Sequence, residues 1–115
     1  MDNTIANFDG AVCDRWKLKF PDRTDVIPQT RTNFRIREDF PPQCREDVNS
    51  LLRTPGFFLS FLPIDGAIEA LQQLRQTGND LVICTTPFMR NEEHLEEKRV
   101  WVQAHLGTDW PLSFR

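Results

Sequence analysis

Asp65-Gly66-Ala67-Ile68-Glu69-Ala70-Leu71-Gln72-Gln73-Leu74-Arg75-Gln76-Thr77-Gly78-Asn79-Asp80-Leu81-Val82-Ile83-Cys84-Thr85-Thr86 is the stretch that decides the fold. Ile68, Leu71 and Leu74 recur at helical spacing, which predicts a helix with one apolar face. Asp65 is placed to cap its start and Thr77-Gly78-Asn79 to stop it. Leu81-Val82-Ile83-Cys84 then runs apolar without alternation, as a short strand buried on both faces of a parallel sheet does. Helix, glycine turn and buried strand make half of a βαβ unit, so the fold class predicted is α/β.

Working outward, the segment from Asn91 to Leu106 has Leu95, Val102 and Leu106 on one helical side, Glu92 and Glu93 in its first turn and Gly107 just beyond it. That pattern predicts a further helix. Upstream, Phe8, Val12, Trp16 and Phe20 stand four apart between Ile5 and Phe20, which reads as an amphipathic helix stopped by Pro21. From Asp22 to Pro42 the chain is polar, and the alternation of Phe34 and Ile36 with Arg35 and Arg37 predicts a loop with at most a short extended piece. Pro41 and Pro42 open a helix over Gln43 to Arg53, striped by Val48, Leu51 and Leu52 and ended by Thr54-Pro55-Gly56. The richest apolar cluster follows: Phe57, Phe58, Leu59, Phe61 and Leu62.

The chain has 115 residues, 39% hydrophobic and 27% charged, which suits one domain. Its net charge of −3 lacks the basic surplus that a phosphate polymer demands, so a dedicated nucleic-acid binder is not expected. No apolar run approaches the ~20 residues of a membrane span. Met1-Asp2-Asn3-Thr4 lacks the positive start and apolar core of a secretion signal. Cys13, Cys44 and Cys84 are odd in number and widely spaced, which predicts reduced thiols in a cytosol-like compartment. His94 and His105 do not cluster with cysteine, which gives a structural zinc site little support.

Ligand sites of open α/β sheets lie outside the carboxyl ends of the strands, here at Thr85, Thr86 and Pro87. Hydroxyls there, followed by a helix whose first N–H groups are unpaired, suit an oxyanion, although Thr86 can equally serve as a turn or cap residue. Asp2 in the Met1-to-Phe8 segment is, read by itself, a helix-start residue more often than a catalyst.

Taken together, the segments resemble the deoxyribonucleotidases (pyrimidine 5′-nucleotidase type C) of the haloacid dehalogenase (HAD) superfamily, which are magnesium-dependent phosphatases. Met1-Asp2-Asn3-Thr4-Ile5-Ala6-Asn7-Phe8 is similar to the family's Asp-Met-Asp-Gly-Val-Leu-Ala-Asp-Phe motif without its first residue. Pro55-Gly56-Phe57-Phe58-Leu59 and Pro63-Ile64-Asp65-Gly66-Ala67 resemble the signature leading into the core helix after the cap. Ile83-Cys84-Thr85-Thr86-Pro87 resembles the second motif, Ile-Cys-Thr-Ser-Pro. Glu97-Lys98-Arg99-Val100-Trp101-Val102 is similar to the helix that follows it. The matches run in order across residues 1 to 107.

The resemblance implies a partial Rossmann-like three-layer core with a small helical cap: residues 1–20 begin the core, 21–62 form the cap and 63–115 continue the core. It implies that Asp2 is the general acid and base, with its backbone carbonyl a ligand of Mg2+. It also implies that Asn3, Thr85 and Thr86 hold phosphate, and that Phe8, Phe34, Arg35, Ile36 and Leu52 line a nucleoside pocket where aromatic faces stack a base. Arg35 stands where the family has a hydrophobic residue, Leu52 where it has an aromatic one, and Met89 where some members have a lysine. The implied substrate is a deoxyribonucleoside monophosphate, the assembly a homodimer, and the compartment the cytoplasm or the mitochondrion, with neither a membrane nor a nucleic acid polymer as partner.

The family's nucleophilic aspartate precedes the methionine that aligns with Met1, and its third-motif lysine and fourth-motif aspartates align beyond Arg115. The expectation is therefore an incomplete version of such a phosphatase, inactive alone, since covalent catalysis needs a carboxylate to attack phosphorus. The alternatives are a non-catalytic nucleotide- or phosphate-binding remnant, and a small α/β interaction domain whose Phe57, Phe58 and Phe61 meet a partner.

Overall fold

A computed structural model describes residues 1–86 and 92–114. Helix α1 spans Phe8–Lys19, α2 Arg45–Arg53, α3 Ala67–Gln76 and α4 Glu92–Leu106; strand β1 is Ile83–Thr85 and β2 is Leu112–Phe114. The two strands pair in parallel, with Ile83 opposite Leu112 and Thr85 opposite Phe114, and the chain crosses between them through α4. The βαβ unit among the described residues is thus β1–α4–β2, which shares only its first strand with the helix-turn-strand half read from the sequence, and the class is α/β around a partial core.

Helix α1 starts three residues later than its apolar spacing predicts. Residues 1–6 instead close a tight loop in which the N–H groups of Thr4, Ile5 and Ala6 all donate to the Met1 carbonyl. Asn3 holds a left-handed φ of 58°, a conformation asparagine tolerates better than most residues. Asn7 then caps α1 by accepting from the Gly10 N–H at 2.9 Å. Val12 and Trp16 are buried, and Trp16 packs between Phe20 and Phe40 with ring centroids 4.4 and 4.9 Å away.

The segment from Asp22 to Pro42 holds no extended piece at Phe34 and Ile36. It carries short 3-10 turns at Pro21–Val26 and Ile36–Asp39, and a third at Pro42–Cys44 takes up the first turn expected of α2. Alternation there has another cause: Ile36 enters the core while Phe34 stays 95% exposed. Helix α2 buries Val48, Leu51 and Leu52 against α1.

Phe57, Phe58 and Phe61 are buried and meet edge-on or tilted at 5.2–5.6 Å. Trp101 of α4 donates its indole N–H to the Phe61 carbonyl at 2.8 Å. The cluster is the centre of the core, which removes the reading of it as an exposed partner surface.

Two expectations about the deciding stretch need correction. Helix α3 is capped not by Asp65 but by Gly66, at φ 81°, and no side chain bonds its first turn. Strand β1 is not buried on both faces: Ile83 and Thr85 are inside, whereas Val82 is 57% exposed and Cys84 faces outward. Helix α3 accordingly buries no residue fully, with Ile68 and Leu71 half-covered and Leu74 exposed. The apolar run carries hydrophobicity on both sides of a strand that this structure packs on one. One core cluster, from Ile5 to Trp110, runs through all three expected segments.

Candidate functional site

The site forms where the 1–7 loop meets the carboxyl end of β1. The Met1 nitrogen donates to the Cys84 carbonyl at 3.3 Å, while Asn7 donates to the Leu62 carbonyl and Ile64 to the Ile5 carbonyl. These bonds fix Asp2 beside Thr85 although 83 residues separate them in the chain.

Lys98 joins the two. His94, Lys98, Trp101 and Val102 share the buried face of α4, and this places a lysine that is only 1% exposed beneath the loop. Its Nζ donates to Asp2 Oδ2 at 3.2 Å, to Thr85 Oγ1 at 3.0 Å and to the Thr86 carbonyl at 2.7 Å. An ammonium has three protons, so all are committed. The Phe58 ring lies below it at 5.1 Å, a cation–π contact. Thr85 accepts from Lys98, which leaves its own hydroxyl proton to donate elsewhere. Asp2 Oδ1 is buried and has no hydrogen-bond partner among the described residues. Such an orphaned oxygen marks a place for a proton, a hydroxyl or a cation from a ligand.

Asp2, Asn3, Thr85 and Thr86 open onto one cavity of about 970 Å³, whose other walls include Phe8, Phe34, Arg35, Ile36 and Leu52. The nine residues to which the resemblance gave a role therefore border the same space. They differ in kind. Ile36 and Leu52 are buried, Phe8 packs edge-on against Phe61 at 5.8 Å, and Phe34 and Arg35 stand exposed at the rim. Asn3 is spent within the protein: its amide donates to Asp9 at 2.9 Å, its side-chain oxygen accepts from the Asp9 N–H, and its own N–H bonds Ala6. Pro87 and Met89 lie outside the described residues.

Sequence reading gave no role to Lys98, Arg31 or Arg37, which also line the cavity. For Lys98 a signal existed, since it stands four residues before Val102 on the apolar side of a predicted helix, where an unpaired lysine is not tolerated. Among the charged residues that line the cavity, Arg31, Arg35, Arg37 and Lys98 face the single carboxylate of Asp2. An anion is the ligand this field favours.

Mg2+ prefers six hard oxygens in a near-ideal octahedron. The described residues contain no group of three acidic or otherwise metal-ligating side chains, and among those lining the cavity Asp2 supplies the only carboxylate, with one oxygen already on Lys98. These residues alone do not make a Mg2+ site.

Hydroxyls and a buried ammonium at the carboxyl end of a parallel strand, opening on an apolar pocket with a cationic rim, define an α/β protein with a cradle for an anion. Residues 1–110 match the family model of the 5′ nucleotidase, deoxy (pyrimidine), cytosolic type C proteins, and the chain belongs to that family. It is 38% identical over 108 residues to a Bordetella pertussis protein provisionally named a 5′(3′)-deoxyribonucleotidase, covering 94% of this chain and 58% of the relative. It is 32% identical over 111 residues to the human cytosolic 5′(3′)-deoxyribonucleotidase, covering 93% of this chain and 55% of the relative. The mouse mitochondrial form is also 32% identical, over 114 residues, 96% of this chain and 52% of that protein. The chain spans about half the length of the curated relatives it matches. No helix among the described residues is long and apolar enough to cross a membrane.

Proposed function

We propose that this chain carries the substrate-holding part of a phosphatase acting on deoxyribonucleoside monophosphates. The observation that supports it most is the convergence of Asp2, Thr85, Thr86 and buried Lys98 on a cavity that Phe8, Phe34, Ile36 and Leu52 also line. In this reading the phosphate sits against the Thr85 and Thr86 hydroxyls, and the base lies between Phe8 and Phe34. Ile36 and Leu52 close the floor, and Asn3 holds the loop in shape.

Hydrolysis by way of an aspartyl-phosphate needs two carboxylates in turn. One attacks phosphorus while the bond from phosphorus to the sugar oxygen breaks, and Asp2, protonated at Oδ1, gives its proton to that leaving oxygen. Asp2, now ionised, then takes a proton from the water that cleaves the acyl-phosphate. Lys98 holds the other oxygen, Oδ2, throughout. Asp2 cannot also be the nucleophile, and it is the only carboxylate on the cavity wall among the described residues. The reading therefore has these 115 residues bind nucleotide without turning it over, and it takes Mg2+ as a family expectation to which Asp2 brings a backbone carbonyl.

The test is phosphate release from deoxyuridine and thymidine monophosphates in Mg2+, by this chain and by a version extended at both ends into the full length of its relatives. Activity in the extended protein alone is expected. Turnover by the 115 residues would contradict the division of labour, and nucleotide binding with no turnover in either protein would favour a non-catalytic binding protein.

A further inference from the structure

Phe34 and Arg35 form the outer wall of the cavity, yet packing does not hold them: Phe34 is 95% exposed and Arg35 is exposed too. The backbone bonds near them are local to the following turn, from Glu38 to Arg35 and from Phe40 to Arg37. What ties this wall to the protein is Arg31. Its Nε donates to the Asn33 carbonyl at 2.9 Å and its Nη2 to the Phe34 carbonyl, while Nη1 pairs with Asp9. Asp39 lies 3.8 Å from Nε and gathers the Thr32 hydroxyl at 2.6 Å and the Asn33 amide at 2.7 Å.

Asp9 is the other half of the link, because the same Oδ1 that meets Arg31 accepts from Asn3, the residue next to Asp2. A planar guanidinium fork spanning a carboxylate and two backbone carbonyls has a fixed geometry that an ammonium cannot copy. The guanidinium carbon also lies over the Phe8 ring, 5.9 Å from its centroid, a cation–π contact.

We propose that Arg31 is a positioning residue that sets the span from the phosphate end of the cavity, at Asp2 and Asn3, to the nucleoside wall at Phe34, so that it governs the fit of a whole nucleotide and not the grip on phosphate. The inference rests on the proposed nucleotide site. With its N–H groups turned to Asp9, Asn33 and Phe34, Arg31 acts through the wall and not on the substrate.

The test is calorimetric titration of the chain and of Arg31→Lys and Arg31→Ala with deoxyuridine monophosphate and, separately, with inorganic phosphate, with thermal unfolding recorded for each. Loss of a charged hydrogen-bond fork predicts nucleotide affinity about tenfold weaker or more in both variants, with phosphate affinity within about twofold of the parent in Arg31→Lys, which retains the positive charge. Arg31→Lys keeps the charge and carries the test if Arg31→Ala fails to fold. Nucleotide binding unchanged in Arg31→Lys overturns the inference, and so does an equal loss for both ligands. If the unaltered chain binds neither ligand, the proposed function fails first and takes the inference with it.

Discussion

Lys98 spends its three protons on Asp2, Thr85 and Thr86 from a position with almost no solvent. Replacing both members of a buried ion pair by apolar groups is often neutral, but removing one leaves the other uncompensated. Lys98→Met strips Asp2, Thr85 and the Thr86 carbonyl of a shared donor and is therefore expected to cost about 2–3 kcal/mol in urea unfolding. In the protein that remains folded the same change should weaken inorganic phosphate binding about tenfold or more, since Asp2 and Thr85 lose the group that orients them. Phosphate affinity unchanged in the folded variant would instead make Lys98 a purely structural residue. Asp39 gives a second prediction. The Thr32 hydroxyl above all, then the Thr32 N–H and the Asn33 donors, outweigh burial and hold its carboxyl at about 2, below the ordinary 3.8. A carboxyl depressed by folding contributes stability that is full above its unfolded value and lost as pH falls through its folded one. The contribution should thus be complete above pH 4 and fade towards pH 2, and Asp39→Asn should flatten that part of the stability profile. At this scale the sequence spoke through motifs: Asp2, Thr85 and Thr86 were singled out because their neighbours form recognisable strings. Lys98 and Arg31 were given no role, because their partners lie up to 96 residues away and the only local hint was the place of Lys98 on the apolar side of its helix.

Helices α1, α2, α3 and α4 were each legible from apolar spacing, and their ends were less so. Asn7 displaced the start of α1, and Gly66 displaced the cap expected at Asp65. In both cases a backbone conformation decided: left-handed φ at Asn3 and at Gly66, which apolar spacing does not encode. A Cβ at Gly66 would touch nothing within 4 Å, so Gly66→Ala meets only the conformational penalty and should destabilise by about 1 kcal/mol. Chemical denaturation reads that value directly; no change would mean that the turn relaxes out of the left-handed region. Docking of α4 is predicted to draw on a buried hydrogen bond from Trp101 besides those of Glu97 and Lys98. Trp101→Phe removes the donor to the Phe61 carbonyl and should cost about 1–3 kcal/mol, measurable by the same method. Strand β2 could not be foreseen, since three residues after a proline show no periodicity. Strand β1 was foreseen as doubly buried because Leu81 to Cys84 is uniformly apolar, and the structure buries only its alternate residues.

On the scale of the whole molecule, a net charge of −3 coexists with a cavity bordered by Arg31, Arg35, Arg37 and Lys98. Overall charge pointed away from a phosphate polymer, and the local field points towards a small anion; only the fold brings those four cations together. Nucleotide binding should therefore weaken as salt shortens the Debye length from about 10 Å at 0.1 M to about 3 Å at 1 M. The exposed rim residue Arg35 should account for more of that dependence than buried Lys98, which comparison of Arg35→Ala and Lys98→Met salt series checks. The nine residues to which the family resemblance gave roles border one cavity. The measurement that tests the central claim most directly is titration of this chain with deoxyuridine monophosphate beside deoxyuridine and inorganic phosphate. The account predicts one nucleotide per chain, bound more tightly than either of its halves, with Lys98→Met suppressing the phosphate contribution; binding of deoxyuridine as tight as that of its monophosphate, or no binding of the monophosphate at all, would contradict it.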